Sequence, residues 1–283
     1  MMNNERPGLK ELLREARSEG YAVGAFNITC YLSCRAAIAA ANETAVPILI
    51  QTSVGTVKKF GVDELFAMMD LLRRGARVPV LFHLDHCTDP ELAKKCVDAG
   101  WDSVMIDMSA KPLEENIRIT AEIKKYAKNR GAGVEGELGI IKGVEEEIAA
   151  DEQQLAGYED SIKFIDGTDV DAFAPAIGTA HGLYKKAVNL NYDLVKRLSG
   201  STAVPIVVHG GTGLTAEQFH ALIRGGASKI NVSTALKYAY IDGLRGYWED
   251  HRDEYNPIKL NDAAETSVRK VVAEHILRFK PPR

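Results

Sequence analysis

Short apolar runs alternate with amphipathic segments along almost the whole chain. There are eight such runs, and most of them are apolar throughout, which is typical of parallel strands buried on both faces. They span residues 21–27, 47–52, 78–85, 103–109, 133–139, 172–178, 205–210 and 229–234. Segments with helical periodicity lie between them, at 31–44, 62–74, 89–99, 113–130, 189–199 and 215–224. This alternation of strand and helix indicates an α/β fold.

Eight strands in such an order predict a closed (β/α)8 TIM barrel. Residues 8–19 are expected to form a helix that plugs its lower end, and residues 262–278 to form an extra C-terminal helix. The alternative is an open doubly wound sheet, which is disfavoured because no G-x-G-x-x-G motif follows the first strand. No low-complexity linker interrupts the alternation, so residues 1–283 are interpreted as a single TIM-barrel domain.

One connection is longer than the others. Residues 140–157 are acidic and punctuated by glycine. Loops of this length in compact domains are often lids over an active site. The alternative is a solvated surface excursion, which loop statistics alone favour.

Bulk composition limits the classes of partner. Charged residues make up 26% of the chain, the formal net charge is −4, and no run of Lys or Arg forms a basic stripe. Neither nucleic acid nor a membrane is therefore expected as a partner. No apolar run approaches the length of a transmembrane helix. The 4 cysteines form no C-x-x-C pair, which is typical of reduced thiols in a cytoplasmic protein.

Three histidines lie at or just beyond predicted strand ends. His86 follows the third strand in HLDH, and His181 follows the sixth in GTAHG. His209 lies at the end of the seventh in HGGTG. Barrel enzymes carry their active sites at this end, and three neutral imidazoles leave one position of a zinc ion open for substrate. A lone histidine is more often a satisfied structural residue. The coincidence of three at equivalent positions carries the prediction of a zinc site.

Carboxylates and glycines surround this predicted site. Asp107, Glu135 and Glu137 point inward at strand ends, where they would be partners of the histidines, metal ligands, or members of salt bridges with a buried Lys or Arg. The segments 210–213 (GGTG) and 231–234 (NVST) follow the seventh strand and end the eighth. Barrels commonly bind phosphate there, although GGTG alone is also explained by a tight left-handed turn.

Five motifs resemble, in chain order, those of class II fructose-bisphosphate and tagatose-bisphosphate aldolases. They are HLDH, VEGELG, AIGTAHG, HGGTG and NVSTAL, and the resemblance spans residues 21 to 240. It implies a cytoplasmic enzyme of carbohydrate metabolism, such as glycolysis. The implied reaction is the reversible, zinc-dependent cleavage of a phosphorylated ketose into dihydroxyacetone phosphate and an aldehyde such as glyceraldehyde 3-phosphate.

The resemblance also implies a role for each matching residue. Asp85 would be the acid/base at the C4 hydroxyl, and Glu145 in the long loop the acid/base at C3, with Glu146 as the alternative. Zinc would be held by His86, His181 and His209. A second or displaced metal would bind Asp107 and Glu137, and the substrate hydroxyls would face Asn27 and Ser53. The implied phosphate site, with a monovalent cation near it, consists of Gly182, Gly210, Gly211, Thr212, Asn231, Val232, Ser233 and Thr234.

Several points stay open at this level. Departures from the family pattern, such as Lys142 in the loop, leave the sugar undecided between fructose, tagatose and other ketose phosphates. Candidates for the far phosphate are Arg245, Arg269 and Lys237. The family suggests a homo-oligomer, either a dimer or a tetramer. Competing functions are a Schiff-base aldolase, for which Lys229 and Lys185 are poorly placed, and a non-catalytic phosphosugar-binding protein.

Overall fold

A computed structural model describes residues 6–141, 143–145, 148–150, 154–180, 182 and 189–281. Eight parallel strands close into a barrel in the order β1-β10-β9-β8-β5-β4-β3-β2, so the predicted TIM barrel is confirmed. The barrel strands are β1 Val23–Asn27, β2 Ile48–Ser53, β3 Val80–Cys87, β4 Ser103–Ile106, β5 Gly133–Leu138, β8 Ala172–Pro175, β9 Ile206–Val208 and β10 Ala227–Val232. Each is buried along nearly its whole length, as parallel strands covered by helices must be.

Helices surround the barrel, and their positions follow the predicted periodicity closely. In the described residues they are α1 Leu9–Glu19, α2 Tyr31–Thr44, α3 Val54–Phe60, α4 Val62–Arg73, α5 Pro90–Ala99, α6 Leu113–Lys128, α7 Tyr158–Thr168, α8 Tyr192–Ser201, α9 Ala216–Arg224, α10 Thr234–Asp250 and α11 Pro257–Arg278. Two helices were not among the predicted segments: the short α3, which follows β2 without a break, and α7. The C-terminal helix begins earlier than expected because Asn256 caps it by accepting a hydrogen bond from the backbone of Ile258.

The first helix plugs the lower end of the barrel, as the sequence predicts. Its buried face consists of Leu9, Leu12, Leu13 and Ala16. A side chain on Gly133, at the start of β5, would lie 2.7 Å from the Cβ of Leu9. The lower end is therefore closed by apolar packing.

The long connection between β5 and α7 contains regular structure that its composition did not predict. Two short strands, β6 Gly143–Glu145 and β7 Ile148–Ala150, pair antiparallel. Below them, Ile140 and Gln154 form a further antiparallel bridge. The connection is thus a hairpin that rises from the end of β5. None of the described helices is long and apolar enough to cross a membrane.

Truncation of the plug tests its contribution to stability. We expect Leu13→Ala to lower the free energy of unfolding by about 2–5 kcal/mol, because the fully buried side chain leaves a cavity in close-packed surroundings. The matched control is Leu71→Ala, whose side chain is 60% exposed; it should change the free energy by less than about 0.5 kcal/mol. Urea unfolding followed by circular dichroism measures both, and equal effects would contradict the plug's role.

Candidate active site

The mouth of the barrel is polar because inward-facing positions at the strand ends carry His, Asp, Glu and Asn. Simple alternation along β3 turns Asp85 inward and His86 outward. The structure brings both to the mouth, because His86 has a left-handed backbone with a φ of 45°. The register between β3 and β4 also shifts between Leu84 and Cys87. This bulge re-aims His86, as bulges beside active sites often do.

His86 and His209 face each other edge to face across the mouth. The Nε2 atom of His86 lies 2.7 Å from the Nδ1 atom of His209. On the other side of each ring stands a carboxylate: Asp107 is 3.1 Å from His86 Nδ1, and Glu135 is 2.8 Å from His209 Nε2. Ionised carboxylates only accept hydrogen bonds, so each imidazole carries its proton on that side. The two lone pairs therefore converge on one point.

Converging lone pairs repel unless a cation lies between them, so the residues fit a metal ion. Burial, with His86 nearby, lowers the pKa of His209, which keeps the imidazole in the neutral form that binds metal. For Asp107, burial alone would raise the pKa, but the hydrogen bonds from His86 and Ser109, with the proximity of His86, together outweigh it and lower the value to about 2. A neutral His209 and an ionised Asp107 are thus in the protonation states that metal ligation requires.

Glu137 adds a further donor to this cluster. Its Oε2 atom is buried, has no hydrogen-bond partner within the described residues, and lies 3.8 Å from His86 Nδ1 and 3.7 Å from His209 Nδ1. Burial and the charge of Asp107 raise the pKa of Glu137 well above its ordinary value. A cation would offset this uncompensated charge. Two overlapping groups have ligand atoms within 4.8 Å of one another: Asp85, His86 and His209, and His86, Asp107 and Glu137.

The third predicted ligand, His181, lies outside the described residues. Its neighbours are described, and the backbone oxygen of Ala180 would lie 2.4 Å from a side chain on Gly210. Gly210 has a φ of 69° as well, so only glycine fits this close approach. The segments that carry GTAHG and HGGTG therefore pack backbone to backbone.

Beneath the histidines lies a buried ion pair. Lys229, with a fully buried side chain, donates a 2.8 Å hydrogen bond to Glu135. Burial alone would raise the pKa of Glu135, but Lys229 and the hydrogen bond from His209 outweigh it and hold the pKa below its ordinary value. Glu135 thus forms a salt bridge with Lys229 and also accepts a hydrogen bond from His209. Two of the roles predicted for it, salt-bridge member and histidine partner, are therefore both present. The buried, paired amine of Lys229 disfavours its use as a Schiff-base nucleophile.

Asp85 is held by amides on both sides. Its Oδ2 atom accepts a 2.9 Å hydrogen bond from Asn27, and its Oδ1 atom a 3.2 Å bond from Asn231. Asn27 in turn accepts a hydrogen bond from Gln51. No sequence motif points to Gln51, because a single amide on a strand has no signature. Ser53 is placed differently: it caps α3 by accepting a hydrogen bond from Thr56. Its side chain is 8% exposed at the mouth.

The predicted phosphate residues gather in one cleft. It is lined by Gly182, Gly210, Gly211, Thr212, Asn231, Ser233 and Thr234. Gly211 permits the close approach of two strands, because a side chain there would lie 2.6 Å from the backbone oxygen of Asn231. Val232 does not line the cleft; it is fully buried at the end of β10.

Of the two helices that follow the segments 210–213 and 231–234, α10 is the one that opens on this cleft. The first turn of α9 is closed by a capping box between Thr215 and Gln218. The N-cap of α10, Ser233, makes no such side-chain bond. Ser233 and Thr234 line the cleft, so the N-terminus of α10, the positive end of its dipole, opens on it.

The other predicted residues lie away from this cluster or outside the described part. Glu145 is in β6, and Glu146 is not among the described residues, so the choice between them stays a prediction. Arg245 pairs with Asp242 and Arg269 with Glu43, both at exposed positions. Neither arginine lines the cleft at the mouth.

A closed barrel with convergent imidazoles and a glycine-lined anion cleft at its mouth is the architecture of a metal-dependent barrel enzyme. The family model for fructose-bisphosphate aldolase class-II matches residues 8–281. The chain therefore belongs to the class II fructose-bisphosphate aldolase family. It is a ketose-bisphosphate aldolase, a lyase of a metal-dependent family.

Individual relatives agree with this assignment over nearly the full length. The chain is 35% identical to a fructose-bisphosphate aldolase of Geobacillus stearothermophilus over 276 residues, 96% of each chain. It is also 35% identical to a sulfofructosephosphate aldolase of Alkalicoccus urumqiensis over 272 residues, 95% of each. Among solved structures, the YdjI aldolase from Escherichia coli K12 superposes with a TM-score of 0.84 at 28% identity and 96% coverage of each chain.

The hydrogen bond between His209 and Glu135 predicts that metal affinity depends on a hydrogen-bond acceptor at position 135. We compare Glu135→Gln/Lys229→Met with Glu135→Leu/Lys229→Met, which both remove the buried charges together. Only the Gln variant keeps an oxygen that accepts from His209. We expect the Leu variant to bind zinc about 10- to 100-fold more weakly than the Gln variant, measured by competition with a chelating dye. Equal affinities would show that Glu135 does not fix the His209 tautomer.

Proposed function

We propose that this chain catalyses the zinc-dependent cleavage of a ketose 1,6-bisphosphate, fructose- or tagatose-1,6-bisphosphate, into dihydroxyacetone phosphate and glyceraldehyde 3-phosphate. The observation that carries the proposal is the juxtaposition at one mouth of three features. These are the converging lone pairs of His86 and His209, the buried carboxylate of Asp85, and the anion cleft at the start of α10.

The residues that would hold zinc are His86, His209 and His181. Zinc bound there supplies Lewis-acid chemistry: it polarises the ketone and stabilises the negative charge that develops on cleavage. Asp107 and Glu137 offer an adjacent second position. The backbone contact between Ala180 and Gly210 supports the inclusion of His181, because it ties the two histidine-bearing segments together.

The chain's own side chains move the protons. Asp85 accepts the proton of the C4 hydroxyl as the C3–C4 bond breaks, and the bonding electrons remain on C3. Glu145 then delivers a proton to C3. Asn231 and Asn27 keep the Asp85 carboxylate in place through hydrogen bonds to its two oxygens. Ser53, at the rim, faces the substrate hydroxyls.

The cleft fixes the other end of the reacting fragment. The phosphate of dihydroxyacetone phosphate would lie against Gly182, Gly210 to Thr212, and the N-terminus of α10, with a monovalent cation beside it. Binding energy from this remote group holds the reacting carbons in position. The aldehyde half is less defined, and one relative is named for a sulfofructosephosphate. A sulfonate in place of the second phosphate therefore belongs among the substrates tested.

The deciding assay measures release of dihydroxyacetone phosphate from fructose- and tagatose-1,6-bisphosphate, their 1-phosphates and sulfofructosephosphate, with and without EDTA. We expect release that EDTA abolishes and zinc restores, because the histidine cluster has to be occupied for cleavage. Release that is indifferent to EDTA would instead favour a Schiff-base mechanism. Tight binding of every sugar without release would favour a phosphosugar-binding protein.

The role of Asp85 is tested separately. We expect Asp85→Ala to lower kcat by about 10²- to 10⁴-fold, the usual contribution of general acid–base catalysis. Zinc content, measured by atomic absorption, should stay at the wild-type level if His86 and His209 carry the binding. Cleavage at the wild-type rate would contradict the assigned role.

The oligomeric state stays a prediction of a dimer or tetramer. Helix α10 leaves Tyr238 and Ile241 52% and 50% exposed, and buried apolar area is what stabilises association. Light scattering on the purified protein gives the mass directly.

A further inference from the structure

The orientation of Asn27 follows from the chemistry of its neighbour. An ionised carboxylate only accepts hydrogen bonds, so the Asn27 amide has to turn its NH2 group toward Asp85. It does so at 2.9 Å. The carbonyl end of the same amide, Oδ1, then points the other way and needs a donor. Without one, this buried oxygen would be left unsatisfied, and the amide would lose one of the two hydrogen bonds that fix its orientation.

Gln51 supplies that donor. Its Nε2 atom donates a 2.9 Å hydrogen bond to Asn27 Oδ1. The register of the sheet places the two side by side, because Asn27 of β1 pairs with Gln51 of β2. The Gln51 side chain is fully buried. The three residues form one directed chain in which each amide's orientation is set by the next group, ending on Asp85 Oδ2.

We propose that Gln51 is a positioning residue for the general base: it fixes the Asn27 amide, which holds Asp85 at the angle that proton transfer requires. The inference rests on the proposed function. It assigns to Gln51 an effect on the cleavage step, and none on metal or phosphate binding, because its contacts lead to Asp85 alone.

If Gln51 served only to pack the barrel interior, an apolar residue would be expected in its place. The Oε1 atom of Gln51 is buried and has no hydrogen-bond partner among the residues that the structure describes. Burial of such a polar atom is unfavourable, so an apolar side chain of similar volume would suit the barrel interior at least as well. A glutamine that orients Asn27 accounts for a polar residue at a site where packing alone favours an apolar one.

The test compares Gln51→Met and Gln51→Glu with wild-type enzyme. Methionine keeps the volume and loses the donor. Glutamate keeps the shape, but when ionised it accepts from Asn27 and turns that amide's oxygen toward Asp85. The matched control is Thr52→Val on the same strand, because Thr52 is equally buried and accepts a hydrogen bond from Trp101, away from Asp85.

We expect Gln51→Met to lose about 10- to 100-fold in kcat for cleavage, the scale of a misplaced catalytic group, with KM within about 3-fold of wild type. Gln51→Glu should lose as much at a pH where the new carboxyl is ionised, and recover where it is protonated and donates to Asn27 as glutamine does. Dihydroxyacetone phosphate should exchange the proton on its hydroxymethyl carbon, which becomes C3 of the ketose, with solvent at the wild-type rate. That step does not involve the C4 hydroxyl. Gln51→Met should melt close to wild type, because it removes one unpaired buried oxygen, Gln51 Oε1, and leaves another, Asn27 Oδ1, without a donor. Thr52→Val should retain wild-type kcat.

Unchanged kcat in Gln51→Met would overturn the inference. It would also be overturned if cleavage and proton exchange fell together with the melting temperature, since that pattern marks a structural residue. Failure of wild-type enzyme to cleave any sugar would instead overturn the proposed function, and this inference with it.

Discussion

The structure at the mouth depends on one electrostatic constraint, the meeting of two imidazole lone pairs at 2.7 Å. Each imidazole is held in its tautomer by a carboxylate behind it, Asp107 for His86 and Glu135 for His209. Reversal of either tautomer would place a proton where the cation belongs. The carboxylates therefore determine what the site can bind, although they lie behind the histidines.

Those carboxylates impose a further requirement, because ionised groups in a barrel interior need compensation. Lys229 provides it for Glu135 from the strand opposite. Asp107 has instead the hydroxyl and backbone N–H of Ser109. The Oε2 atom of Glu137 has no hydrogen-bond partner in the described residues, so a bound cation would stabilise the ionised form of this carboxyl. The closed, apolar lower end makes this arrangement necessary, since α1 keeps water from reaching the buried charges from below.

Much of this could be predicted from sequence, for reasons that are local. Apolar strands and helical periodicity depend on nearby residues, and the histidine and glycine motifs lie at strand ends where a barrel gathers them. Strand alternation alone does not give the inward turn of His86, because a bulge breaks the two-residue period; the HLDH motif pointed to His86, and the periodicity did not. The roles of Gln51 and Lys229 could not be predicted for another reason: they exist only through partners on other strands.

Two separate networks support the two halves of the chemistry. The ion pair of Lys229 and Glu135 leads to His209 and hence to the metal, whereas the amides of Gln51 and Asn27 lead to Asp85. Within the described residues no hydrogen bond joins the Gln51–Asn27 pair to the Lys229–Glu135 pair. The two networks nevertheless meet at their far ends, because Asp85 and His209 have ligand atoms within 4.8 Å of each other. Substitutions in them should therefore not be additive in kcat, since residues that close together act as one unit in the reaction.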